Sequence, residues 1–186
     1  MRWLGAIFVA AASFDLAASA EPLIVASTPE QGGFAVERSV VDKEIEECWA
    51  VDAHRVDAQM ACTQRLLTRC TTEEPSVGMA RQRDLFCLDA TLIAWEAVLA
   101  EQWAHLWEMS EMQDAEDAAH ASARTSRYRL EVLPEAQAAW RAYRDAECAS
   151  VAAEFRLGTY ASVFAMRCRL ELTISRAVWI ERRGAR

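Results

Sequence analysis

The chain has 186 residues, 53% of them hydrophobic, and 28 acidic residues against 20 basic ones give it a net charge of −8. That length allows one domain with a real core, and the acidic balance disfavours nucleic acid, whose phosphates need clustered Lys and Arg. Glycine and proline are scarce, at six and four, and the abundance of Ala, Leu, Glu and Arg favours helix.

Residues 1–20 read as a secretory signal peptide. Arg2 begins a short positive region, residues 3–12 form an unbroken run of apolar and small side chains, and Ala18-Ser19-Ala20 supplies the small-residue cleavage pattern before Glu21. The run is too short for a permanent bilayer anchor, and no Cys follows the cleavage point, so neither stable membrane insertion nor a lipid-anchored form is expected. A soluble mature chain, periplasmic or secreted, is the expectation. Residues 21–38 (EPLIVASTPEQGGFAVER) carry two prolines and a glycine pair without a helical stripe and read as an extended or mobile lead.

A helical domain is expected over residues 39–186. Ser39-Val40-Val41-Asp42 resembles a capping box with Asp in place of Glu, and Ile45, Cys48 and Trp49 supply the buried face of a first helix. A second, short helix is predicted over residues 56–69, before the turn-rich TTEEPSVG of residues 71–78. Leu85, Leu88, Leu92, Trp95, Leu99, Trp103 and Leu106 then follow steps of three and four, the seam of a long bundle helix.

Residues 108–127 are polar, Ala-rich and without a sustained apolar stripe, which reads as an exposed helical extension or a loop. Here Glu108, Glu111, Asp114, Glu116 and Asp117 crowd together with no basic neighbour in sequence. They are candidates for recruiting a cationic partner, against the plainer reading that they solvate the surface.

The next helix is expected to start at Pro134, which suits a first turn where a missing N–H costs nothing, with Glu135 favouring the positive helix end. Ala136, Trp140 and Tyr143 recur at helical steps, so core packing is the favoured reading of both aromatics, with the phenol reaching a partner. Arg144 and Asp145 are adjacent and point apart; Arg141 with Asp145, or Asp145 with Arg176 across helices, are the ion pairs to expect. Gly158 marks the turn into a last helix through Phe164, Leu170, Ile174 and Ile180.

All six cysteines lie in the mature part, which fits export to an oxidising compartment. Six cysteines allow fifteen pairings, so sequence alone leaves the connectivity open. Sequential pairing, Cys48 with Cys62, Cys70 with Cys87 and Cys148 with Cys168, is favoured because each pair brackets a predicted helix-to-helix turn. Zinc is disfavoured: there is no C-x-x-C, and the histidines stand at no usual ligand spacing. Glu101, His105 and Glu108, at i, i+4 and i+7, have the spacing of a metal site, but a solvated face is the favoured reading. No nucleophile elbow, H-E-x-x-H helix or phosphate-cradling loop occurs. Asp145 and Glu147, two apart on a helix, make a poor glycosidase pair. Neither catalysis nor a cofactor is expected.

Residues 133–148 (LPEAQAAWRAYRDAEC), answered by CRLELTISRA from Cys168, carry the most specific signal. Leu133, Ala136, Gln137, Trp140, Tyr143, Arg144, Asp145 and Cys148, then Cys168, Leu172, Thr173, Arg176 and Ala177, fill the positions of a recurring pattern. In this the chain resembles the LprI-type lysozyme-inhibitor-like domain family. The resemblance supports sequential pairing for the last two cysteine pairs, and it implies lysozyme inhibition for some members. Along the long helix the family usually carries Asp, Leu-Asn and Tyr; Glu96, Leu99-Ala100 and Trp103 stand there instead.

Charge is split along the chain. Residues 21–120 hold seven basic and twenty acidic residues, whereas residues 121–186 hold twelve basic and seven acidic ones. The acidic part is suited to attract a cationic protein such as a lysozyme. The resulting expectation is an all-α, small disulfide-stapled helical bundle acting as an exported protein-binding module, with inhibition of lysozyme or another cell-wall lytic enzyme as the leading role. An envelope structural or stress protein without inhibitory activity is the alternative. Oligomeric state is left open.

Overall fold

The computed structural model describes residues 24–26, 34–72, 80–120, 128–156 and 158–185. The expected signal peptide, residues 73–79 and residues 121–127 lie outside them. Within the described residues a two-stranded antiparallel ribbon, β1 (Ile24–Ala26) with β2 (Phe34–Val36), precedes five helices: α1 (Arg38–Asp52), α2 (Val56–Thr72), α3 (Ala80–His120), α4 (Arg129–Glu154) and α5 (Ala161–Gly184). The fold is the expected disulfide-stapled all-α bundle, with this ribbon added at its N-terminal side.

α3 is the axis. Its 41 residues span about 60 Å at 1.5 Å per residue, and the predicted seam is its core face: Leu88, Leu92, Trp95, Leu99 and Leu106 are buried, with Leu85 and Trp103 packed against them. Trp95 is wholly buried, donates from Nε1 to Thr63 Oγ1 at 3.0 Å, and meets Trp49 edge-on with centroids 5.9 Å apart. The indole therefore loses no hydrogen bond on leaving water.

Three bridges join sequence neighbours: Cys48–Cys62 between α1 and α2, Cys70–Cys87 between α2 and α3, and Cys148–Cys168 between α4 and α5. They close loops of 14, 17 and 20 residues, each contributing about 3 kcal/mol in the chain-entropy account. Gln59, also buried, donates to Cys48 O at 3.0 Å and Asp52 O at 2.7 Å, satisfying carbonyls at the end of α1.

Helix starts depart from the sequence reading. α1 is capped by Glu37, whose carboxylate accepts from Ser39 N at 3.4 Å and Ser39 Oγ at 2.7 Å, rather than by Ser39 itself. α4 starts at Arg129, so Pro134 lies inside it and not at its start. α3 continues without a break to His120, so the described part of residues 108–127 is helix and not loop.

Arg81 lies 3.4 Å from Ser162 at one end, and Gly184 packs against His105 at the other, so α3 and α5 run parallel and pack directly on one another, while α4 returns antiparallel alongside them. Gly184 has little room: a Cβ there would lie 3.2 Å from His105 Nδ1. Because α5 ends at the level of His105, the last turns of α3 overhang it. There the buried face changes character to Leu106, Ser110 and Asp114, at four-residue steps.

Candidate functional site

Asp114 explains why the overhang is ordered. Tyr128, the residue before α4, offers no side-chain cap. Asp114 supplies one from α3: its carboxylate accepts from Arg129 N at 3.1 Å and Leu130 N at 2.9 Å, and pairs with Arg129 Nη1 at 3.0 Å. Burial pushes the Asp114 carboxyl up, but the Leu130 and Arg129 N–H groups and the Arg129 guanidinium outweigh it and hold the group below the usual carboxylate range. Asp117 joins the same guanidinium at 2.6 Å.

The expectation that all five acids stand exposed without a basic neighbour is corrected. Arg129 faces two of them, and Asp114 is structural. Glu108, Glu111 and Glu116 remain exposed on the overhang. Glu101 and His105 are also exposed, and among the described residues no group of three His, Cys, Asp or Glu side chains is placed to hold a metal.

The motif residues divide between two faces of α4. Leu133 and Gln137 are buried, Trp140 is half-buried, and these with Arg144 turn toward α3 and α5. Gln137 Oε1 accepts from Arg176 Nε at 3.0 Å and Nη2 at 2.9 Å. Arg144 Nη1 donates to Glu96 Oε1 at 3.0 Å and to the buried Thr173 Oγ1 at 3.2 Å, tying α3, α4 and α5 at one point. A groove of about 400 Å³ opens beside this junction, between Glu96, Ala100 and Trp103 of α3 and Gln137, Trp140 and Arg141 of α4.

Tyr143 points elsewhere: it is 54% exposed, so its reading as a core residue is corrected. The α4 face that reaches the core is occupied by Gln137, Trp140 and Arg144, and Tyr143 falls beside Phe164 and Leu172 on the outer surface. Neither expected partner of Asp145 forms a pair with it. Asp145 lies 3.9 Å from Arg169 and 3.5 Å from Arg144 Nε, because Arg176 is turned onto Gln137 and Arg141 lines the groove.

Arginines and indoles alternate from this junction toward the end of α5. Arg144 and Arg176 stand 5.1 and 5.5 Å from the Trp140 ring centroid, and Arg176 and Arg183 stand 4.6 and 5.2 Å from that of Trp179. Guanidinium over an indole face is electrostatically favourable. Burial, and then the charge of Arg183, pull the Arg176 pKa below the ordinary arginine value. The sequence reading did not include Trp179 and Arg183, although Arg176, Trp179 and Arg183 lie at i, i+3 and i+7, a spacing that sets them along one face of the helix.

The groove and the ladder as far as Trp179 fall within a family match, with Arg183 just beyond it: the profile described as "Lysozyme inhibitor LprI" covers residues 70–179. The chain belongs to the LprI family. The LprI match runs from the cysteine that ends the α2 core face to the exposed indole of α5, taking in α3, α4 and two of the three bridges. α1 and the Cys48–Cys62 bridge lie outside it. No curated protein and no solved structure matches the chain. No described helix is long and apolar enough to cross a membrane.

Proposed function

We propose that this LprI-family chain is an exported protein-binding module that inhibits lysozyme or another cell-wall lytic enzyme. The observation that carries the reading is the family match across most of the bundle. Support for export comes from the signal-like residues 1–20 and from three disulfides, which persist in oxidising compartments.

Recruitment is assigned to the exposed acids of the α3 overhang. Glu108, Glu111 and Glu116 project beyond the end of α5, and attraction between them and a basic enzyme speeds encounter without requiring a fitted contact. Asp114 and Asp117 are excluded from this role because Arg129 holds both.

A cell-wall lysis assay with several lysozyme types tests the function. Slowed lysis at micromolar protein is expected; failure against every type defeats the inhibitor reading and leaves an envelope structural or stress protein. Recruitment is tested by reversing Glu108, Glu111 and Glu116 to Lys. The association rate is expected to fall and its salt dependence to flatten, because the Debye length contracts from about 10 Å at 0.1 M salt to about 3 Å at 1 M. An unchanged rate and salt slope leave these acids with a solvating role alone.

A further inference from the structure

We propose that the arginine–indole ladder at the end of α5 is the inhibitory contact, with Trp179 as its apolar anchor and Arg183 as the cation offered to a carboxylate-bearing cleft in the partner enzyme. The proposal rests on the inhibitor reading above and names the surface that performs it.

Exposure is the first argument. Trp179 is 45% exposed, although Arg176 and Arg183 hold its ring from two positions on the same helix. A large indole kept at the surface and fixed in orientation is the residue type on which protein interfaces concentrate their binding energy, and arginine is another.

Uncompensated charge is the second. Arg55, Arg69, Arg129, Arg144 and Arg169 each have a carboxylate within 4.0 Å. Among the described residues, Arg176 and Arg183 have none, as is true of several other arginines, and what sets these two apart is that both stand over one exposed indole. Arg176 spends two N–H donors on Gln137, a neutral acceptor, so the two guanidinia around Trp179 have no carboxylate within 4.0 Å in the described chain. A carboxylate from outside answers them with short, charge-assisted and bidentate hydrogen bonds.

Placement supplies the third. Gly184 packs on His105, one helical turn before Glu108 on α3, so the end of α5 that carries Arg183 adjoins the start of the acidic overhang. A partner that is basic over its body and acidic in its cleft meets both signs at once. Enzymes that cleave glycosidic bonds have such a cleft, since most work through two carboxyl groups flanking the scissile bond. The overhang then recruits, and the ladder blocks.

The test compares the parent protein with Arg183→Glu, Trp179→Ala and Arg183→Lys against a basic lysozyme whose inhibition by the parent has been measured, with helix content checked by circular dichroism. Both side chains are exposed, so the variants are expected to fold. Arg183→Glu and Trp179→Ala are expected to weaken inhibition by about tenfold or more, and Arg183→Lys to fall between them and the parent, because an ammonium keeps the charge and loses the bidentate fork. A chitooligosaccharide filling the enzyme's cleft is expected to displace the parent. If the parent inhibits while Arg183→Glu and Trp179→Ala match it, or if the oligosaccharide fails to compete, the ladder proposal falls and the inhibitor reading stands. A parent that inhibits no lysozyme overturns both.

Discussion

The two halves of α3 are held by different physics. From Leu88 to Leu99 the helix is buried on an apolar face around Trp95, and the Cys70–Cys87 bridge fastens it to α2. From Leu106 to Asp114 the buried face turns polar, and two carboxylates, Asp114 as the cap and Asp117 beside it, join α3 to the start of α4. One uninterrupted helix thus passes from a region ordered by non-directional burial to one ordered by a few directional hydrogen bonds. Burial tolerates small shifts and resists acid and salt; a cap depends on geometry and on ionisation. The division also bears on the proposed recruitment, because the lightly covered half leaves Glu108, Glu111 and Glu116 exposed.

The sharpest way to break the comparison is at the apolar half. Trp95→Ala removes a fully buried indole and leaves Thr63 Oγ1 without its donor. A loss of about 3–5 kcal/mol is expected in denaturant unfolding, and a loss below about 1 kcal/mol would show that burial does not dominate there. Replacing Cys70 and Cys87 together by Ala is expected to cost about 3 kcal/mol, through the 17-residue loop they close.

The polar half is expected to respond less and differently. Asp114→Ala removes the cap of α4 and is expected to cost about 1–2 kcal/mol, with faster amide exchange at Arg129 and Leu130 as the local sign. Its pH dependence follows from the lowered pKa. The folded value lies below the unfolded one, so the stabilisation is fully present above about pH 4 and is lost as pH falls through the folded value. Asp114→Asn is expected to flatten that acid limb of the stability curve, and an unchanged limb would place the acid sensitivity elsewhere. Reversing Glu108, Glu111 and Glu116 to Lys is expected to shift stability by no more than about 0.5 kcal/mol per site, since all three are exposed.

Much of this was legible in the sequence, and the limits are instructive. The seam from Leu85 to Leu106 was readable because a helix repeats every 3.6 residues, and burial of one face imposes that period on the residue types. The last turns of α3 carry no apolar period, so their docking was invisible: Asp114 caps a neighbour 15 residues downstream, a relation between helices that no local pattern encodes. Pro134 suggested a start for α4 that its actual cap, supplied from another helix, moved five residues earlier.

The same distinction runs through the candidate site. The motif residues were identifiable by type and spacing, and the family match agrees with the resemblance they carry. Their roles were not. Trp140 and Tyr143 are three apart on one helix, close enough in angle to be assigned one environment, yet the arrangement of α3 and α5 half-buries the first between two guanidinia and leaves the second 54% exposed. Sequence by itself determined the helical class and the family, because periodicity, composition and motif spacing are local properties written along the chain. Only the tertiary structure decided that Asp114 is a cap and not a recruiting charge, and that Arg176 and Arg183 flank an exposed Trp179. Charge and hydrogen-bond partners come from packing across helices, and a side chain's ionic role is set by what the fold brings within about 4 Å of it.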